Sequence, residues 1–547
     1  MKGLNRTLRW FSAAVLLIAM AAAPALADLK KKDPKTTPAT DKNTAVPAVP
    51  RAIPDLVPYW AFDPPANSLF DMNKLTFSGD LRVRPEIRTN GSFGRTKSND
   101  FYVQQWMRLG INYSLSPDIE VFFQPQYAKN WGAANLSGTG TASNNGACAA
   151  AICANDPFNV GTGESFFVRQ AFLLIRNTGV ENLSLKLGRQ LIVFGNHRMF
   201  GHFDWANTGF SHDAATFQYA SKIWDLTGGW GRPAYQGFNF AGGNSSVFGV
   251  APPGVNTANA NARTVASNAA DFFFARFAIK PIAGLSIEPM WVYFINGGPS
   301  TGAVGGTTQA HAPNQNRHTI GSRFAYKWKM IDTNAEGYWQ FGSMGVDPGN
   351  SDRSLRINAY AGTFHLGVTL PVPMQPRIGG EVNIASGDQH GGQCNSQQTC
   401  QGHANTFEQF YPTNHILFGY MDLFAWRNMV SYGGNFQMRP TKNSHFEIWG
   451  NVFRKQTTGD NWYRAAQNAY FGTTSAACNA AFSTGQCTSA SLGQEIDVIY
   501  THFFKNNKIG WQVGYGHFFA GEFIEQFLGQ TSNAGQDWAY TQVHVNF

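Results

Sequence analysis

From Leu75 onward, polar and apolar side chains alternate with a period of two. In "TFSGDLRVRPEIR", Phe77, Gly79, Leu81, Val83, Pro85 and Ile87 share one face. Asp80, Arg82, Arg84, Glu86 and Arg88 share the other. One apolar and one charged face over about a dozen residues fit a tilted strand with lipid on one side and water on the other. Pro85 predicts a bulge or bend there. "FYVQQWMRLGINY" repeats the pattern, with Phe101, Val103, Met107, Leu109, Ile111 and Tyr113 opposite Tyr102, Gln104, Trp106, Arg108 and Asn112. "LSIEPMWVYFI", "IDTNAEGYWQFG" and "KIGWQVGYGHFF" do the same. The last ten residues, "WAYTQVHVNF", alternate to the terminal Phe547.

The connections alternate in length. "SLSPD", "NTGVEN", "SK", "PIAG", "PVPMQ", "PTKN" and "KNN" are short, whereas 128–165, 232–269, 296–316, 387–426 and 456–493 are long. Short turns at one end and long loops at the other are the habit of an outer-membrane barrel. Strands in lipid leave no sheet edge unpaired, so they must close. The expected fold is all-β, a transmembrane antiparallel β-barrel of about eighteen strands, with sixteen and twenty left open. The final strand is expected to pair with the first near Leu75–Arg88.

Composition agrees. Aromatic residues make up 14%, charged residues only 14%, and mean hydropathy is −0.26. Ordinary soluble domains carry about a quarter charged residues. Lys2, Arg6 and Arg9, the apolar "WFSAAVLLIAMAAAP" and Ala25-Leu26-Ala27 read as a signal peptide over residues 1–27. Residues 28–74 read as a Pro/Lys-rich periplasmic tether and barrel lead-in, and 75–547 as the barrel. The net charge is +8, three of it from the signal. The modest remainder and the lack of a basic stripe argue against nucleic acid. Six cysteines form three close pairs: Cys148 with Cys153, Cys394 with Cys400, and Cys478 with Cys487. In an oxidising compartment each is expected to close locally as a disulfide, bracing a long loop. Their surroundings do not favour a metal site.

Alternation turns Arg82, Arg84, Arg88, Arg108, Lys186, Arg276, Arg323 and Arg439 inward. It also turns in Asp80, Glu86, Glu288, Asp332, Glu336, Glu381, Glu447, Glu495 and Asp497. Arg169 and Arg189 lie in strands of ambiguous phase, and are assigned to the lumen because a bare Arg facing lipid is costly. The lumen is thus expected to be mixed, with many charges pairing as wall braces. Residues 188–213, "GRQLIVFGNHRMFGHFDWANTGFSHD", form a Gly-punctuated loop with Arg198, Asp204, Trp205, Asn207 and Asp213. Arg, Asp and Asn in one loop can lock it by charge-assisted hydrogen bonds. It is a candidate constriction loop, held in shape or contacting solute.

Gly188-Arg189-Gln190, Phe194-Gly195, Arg198, Gly201, Asp204-Trp205, Asn207 and Asp213 resemble the alginate export family of outer-membrane barrels. "FVRQAFLLI", Glu336 with Gln340 and Gly342, "ASGD", "LFGYMD…WRN", "LGQEID" and "GYGHFFAGEF" agree in order, over about residues 75 to 547. One departure is Phe210, where the pattern has Arg. The resemblance implies an eighteen-stranded barrel with a positively lined constriction for an anionic polysaccharide.

No G-x-S-x-G elbow, H-E-x-x-H or P-loop occurs, so no enzyme and no cofactor are expected. His197, His202 and Asp204 read as polar loop residues rather than metal ligands. The leading function is an outer-membrane channel for a hydrophilic, anionic solute such as an exported polysaccharide. A general or small-anion porin and a structural barrel around a periplasmic electron carrier are the rivals. Expected partners are outer-membrane lipid, the barrel assembly machinery, with Phe547 as its signal, and a periplasmic protein docked on residues 28–74.

Overall fold

The computed structural model describes residues 70–72, 74–91, 93, 99–131, 165–207, 209–233, 238–239, 270–296, 302–304, 307–309, 315–345, 354–388, 403–465, 469–471, 478, 487–529 and 535–547. The signal segment and nearly all of the tether lie outside them.

Eighteen strands close into one antiparallel barrel. They are β1 (Leu75–Thr89), β2 (Asn99–Ser116), β3 (Ile119–Trp131), β4 (Ser165–Ile175), β5 (Leu183–Gln190) and β6 (His212–Ala220). Next come β7 (Trp224–Pro233), β8 (Ala270–Ile279), β9 (Leu285–Asn296), β10 (Gln315–Trp328), β11 (Ile331–Gly345) and β12 (Ser354–Thr369). The last are β13 (Arg377–Ala385), β14 (Met429–Met438), β15 (Ser444–Lys455), β16 (Ser491–Phe504), β17 (Ile509–Ala520) and β18 (Gln536–Asn546). Each pairs with the next in sequence, and β18 returns to β1 with Asp80 opposite Asn546 and Thr89 opposite Asp537. A short helix, α1 (Glu522–Leu528), ends on Gly529 in the left-handed region between β17 and β18. No helix among the described residues is long and apolar enough to cross a membrane.

The period of two decides which side chain faces where. On β1 and β2, Arg82, Arg84, Tyr102, Gln104, Trp106 and Arg108 are buried inside, while Phe101, Met107 and Leu109 are exposed outside. Pro85 does not bulge β1, because the register runs unchanged from Val83 opposite Val543 to Glu86 opposite Tyr540. The bulge lies elsewhere. The β3–β4 register slips between Gln124 and Pro125, which leaves Arg169 as the extra residue on β4. Outside, Trp291, Tyr293, His318 and Phe341 stack in a belt toward the long-loop end, and Trp224 stacks on Phe277 at the short-turn end. Aromatic belts of this kind mark the two membrane–water interfaces.

The seam is tightly made. Gly79 and Phe547 exchange backbone hydrogen bonds of 2.6 and 2.9 Å. A Cβ on Gly79 would fall 2.5 Å from the Phe547 ring, so only glycine lets that ring lie flat on β1.

Of the three expected bridges, the one between Cys478 and Cys487 is formed. The other two were expected to join Cys148 to Cys153 and Cys394 to Cys400. All four of those residues, Cys148, Cys153, Cys394 and Cys400, lie outside the described residues.

Two of the long connections do not stay outside. Their described parts, 191–207 with 209–211 and 403–428, fold into the barrel. There they bury Met199, Phe200, Trp205, Phe407, Phe410, Phe418, Phe424 and Trp426 in one cluster with the inward-facing Phe272, Phe274, Phe294 and Phe518.

Candidate functional site: a charged strap across the lumen

Segment 191–211 acts as a strap because its two charged residues find opposite wall chemistry. The Asp204 carboxylate accepts from Arg108 on β2 at 2.7 Å and from Arg169 on β4 at 2.8 Å. Arg82 on β1 donates to the Asp204 backbone carbonyl at 2.6 Å, to that of Trp205 at 3.0 Å and to Asn207 Oδ1 at 3.1 Å. Burial alone would raise the Asp204 carboxyl. The guanidinium groups of Arg108 and Arg169 outweigh burial and hold it well below the usual carboxylate range. Arg169 also donates to the carbonyls of His202 and Phe210. The bulge on β4 is what turns Arg169 inward beside this cluster.

Arg198 anchors the strap elsewhere. It donates to Glu381 on β13 at 2.7 Å and to Asn383 Oδ1 at 3.1 Å, and lies 3.4 Å from Glu336 on β11. Basic wall thus meets the strap's acid, and acidic wall meets its base. Each buried charge therefore has a partner, as removal from water requires.

Trp205 is held face to face. The Arg84 guanidinium lies 3.4 Å from its ring centroid, and the His415 ring stacks on the other side at 3.6 Å. Arg84 also donates to Glu86 at 2.7 Å and to the Trp205 carbonyl at 2.8 Å. Arg82 and Arg108 sit over the Trp106 ring at 3.6 and 3.7 Å. His202 lies 3.3 Å from Asp204 and packs edge-on to His197.

Segment 403–428 locks onto the strap. Gly201 N donates to the Tyr411 carbonyl, Tyr411 N to Met199, and Thr413 N to His197. It also grips the wall. Arg88 donates to the Met421 carbonyl at 3.1 Å, Met421 N to Glu495 at 2.9 Å, and Tyr420 OH to Glu447 at 2.7 Å. Asp497 takes a long contact, 3.5 Å, from Tyr420 N and shares a side-chain hydrogen bond with Glu495. Glu408 lies 3.4 Å from both Arg317 and Arg427. His415 Nδ1 is 2.8 Å from Asp422.

Most of the alternating candidates lie buried on the inner face, and the strap gathers Arg82, Arg84, Arg108, Arg169, Asp204, Trp205 and Asn207 into one cluster. Arg276 and Arg323 form a separate brace, each 2.7 Å from Glu288. Three placements are corrected. Arg189 and Asp213 face outward, paired bidentately at 2.8 and 3.0 Å, because Arg189 shares its phase with Leu185 and Leu187. Their position at the loop end of β5 and β6 removes the objection of cost. Arg toward lipid costs about 2–4 kcal/mol at mid-membrane but only about 0–1 near an interface. Arg439 lies past the end of β14 in the turn to β15, exposed, with its N–H on the Met374 carbonyl. Phe210 stacks on Phe203 at 5.2 Å, an apolar contact where the resemblance has a base. The inward course of 403–428, with Glu408, His415, Asp422 and Trp426, was missed. Its only sequence signal was "LFGYMD…WRN".

Solved structures give the fold. Two Pseudomonas aeruginosa proteins are similar: OccD3 (OpdP), at 9% identity with a TM-score of 0.50, covering 88% of this chain and 93% of its own, and OccK8 (OprE), at 11% identity with a TM-score of 0.50, covering 87% and 98%. A comparison with curated proteins finds no match. The family model described as alginate export matches residues 73–536, nearly the whole barrel. With closure, belts and loop asymmetry already established, the chain belongs to the alginate export family and is a channel of the bacterial outer membrane.

Proposed function

We propose that this channel passes a hydrophilic anionic solute, an exported polysaccharide bearing carboxylates, along the basic wall of β1, β2 and β4. The observation that carries this reading is the excess of guanidinium at the strap. Arg82, Arg84, Arg108 and Arg169 stand with Asp80, Glu86 and Asp204, all of them buried. A cation-rich constriction lowers the field barrier to an anion and raises it to a cation. Asp204 occupies that cradle as an internal carboxylate. A solute carboxylate can compete for the same donors and release the strap as it passes. Arg88, Glu336, Glu381, Glu495 and Asp497 shape this path by holding the two inward segments rather than by touching solute.

The test is block of single-channel current in a planar bilayer. A polyuronate added to one side interrupts the current in wild type, and interrupts it less when Arg82 and Arg108 become Gln. Small-anion current without polyuronate block would make the protein a general anion porin. Absence of any current would favour a structural barrel around a periplasmic partner, such as one docked through residues 28–74.

A further inference from the structure

The short-turn rim of the barrel is uneven in charge. Four successive turns join β10 to β11, β12 to β13, β14 to β15 and β16 to β17. Their residues, 329–330, 370–376, 439–443 and 505–508, include Lys329, Arg439, Lys442, Lys505 and Lys508 and no acid. All five cations are exposed, and among the described residues no ion pair holds any of them. The rest of the rim is balanced. There Arg176 pairs with Glu120 at 2.9 Å and Lys280 with Asp225, while exposed Asp118 and Glu181 offset Lys222.

The basic arc also exposes apolar side chains. Trp328, the last residue of β10, is 51% exposed, and Leu370, Val372 and Met374 in the next turn are 45%, 48% and 51% exposed. Trp328 keeps the outward phase of Ile320 and Phe324, which are exposed on the lipid face. The Lys329 ammonium lies 4.8 Å from the Trp328 ring centroid, so this cation is held on the lipid side of the rim and not over the mouth. Arg439 N donates to the Met374 carbonyl at 2.7 Å, which ties the third basic turn to the apolar one.

Aromatic side chains at the end of a membrane strand sit at headgroup depth, and cations next to them meet the lipid phosphates. A neutral headgroup would leave the five like charges to water and salt alone. An anionic headgroup offsets their mutual repulsion. An acidic protein would meet the same charge, but it would not account for a cation stacked on a lipid-facing tryptophan.

We propose that the short-turn arc from β10 to β17 is a docking surface for anionic phospholipid of the periplasmic leaflet, with phosphate headgroups on Lys329, Arg439, Lys442, Lys505 and Lys508 and acyl chains against Trp328. The proposal does not depend on what the channel carries.

The test is lipid association by electron spin resonance, with the intact barrel in phosphatidylcholine vesicles. A trace of spin-labelled phosphatidylglycerol is compared with the same label on phosphatidylcholine. Wild type is expected to retain the anionic label about threefold over the neutral one, and the preference should fall with added salt. The variant with Lys329→Gln, Arg439→Gln, Lys442→Gln, Lys505→Gln and Lys508→Gln is expected to lose at least half of that preference. Lys505→Gln with Lys508→Gln serves if the larger variant does not fold, which heat-modifiable gel mobility reports, and should also lower it. Lys222→Gln, on the balanced side, should leave it unchanged. Absence of preference in wild type overturns the proposal and leaves the arc to an acidic protein. An unchanged preference in the folded arc variants, or an equal fall in Lys222→Gln, overturns it as well.

Discussion

Arg198 and Asp204 lie on one strap and are tied to opposite kinds of wall, Arg198 to Glu381 at 2.7 Å and Asp204 to Arg108 at 2.7 Å. Removing one partner of a buried ion pair costs about 3–5 kcal/mol, because the other charge stays behind uncompensated. Arg198→Met and Asp204→Asn should each loosen one end and raise single-channel conductance. The double variant should exceed the sum of the two, since either anchor alone keeps the strap across the lumen. Simple additivity in conductance would show that the anchors act independently and that no strap is held between them.

Gly419 supports the second inward segment. Its φ is +90°, and a Cβ there would lie 2.4 Å from the Glu495 carboxylate. Gly419→Ala should therefore push 403–428 off β16, with strain in the left-handed region added to the clash. Limited proteolysis should cut this segment faster in the variant while the barrel keeps its folded gel mobility. An unchanged cleavage rate would contradict the packing described.

His415 and Asp422 should give the inward segment a pH window. Burial first, then Arg84, Arg88 and Arg82, hold His415 well below its ordinary 6.5. The seated segment then disfavours the proton, so stability is full above pH 6.5 and falls as pH drops through it. Burial raises Asp422 well above its ordinary 3.8. The seated segment keeps that proton, so stability is full at low pH and is lost as pH rises past 3.8. Between these values the two slopes, each about 1.4 kcal/mol per pH unit, oppose each other. Protease protection of 403–428 should be flat there and weaken on both sides. Asp422→Asn should remove the alkaline limb and His415→Gln the acid limb.

Phe547 lies on Gly79 at the seam, so its removal should act on closure rather than on the pore. Phe547→Ala should lower the yield of inserted barrel several-fold. The molecules that do insert should keep wild-type conductance. Normal yield would count against a role for this residue in assembly.

The barrel was legible because lipid and water impose alternation on each strand, as on β1 and β2, and because closure follows from it. Wall positions such as Arg82, Arg108 and Glu381 were legible for the same reason. Alternation becomes uninformative where the backbone slips. The bulge at Arg169 resets the phase of β4, and Arg189 next to it reads as luminal only if depth in the membrane is ignored. The course of 403–428 was not legible, since a non-repeating segment carries no period. Its direction is set by contacts with residues far away in sequence, such as Met421 with Glu495 and Tyr411 with Gly201.

The reversal potential of wild-type channels in a potassium chloride gradient is the most direct measurement of whether the arginine wall sets what passes. A potential of the sign set by chloride is predicted. It should shrink toward zero in the variant Arg82→Gln with Arg108→Gln, which removes two wall cations and leaves Asp204 paired with Arg169. A potential of the sign set by potassium in wild type would contradict the account.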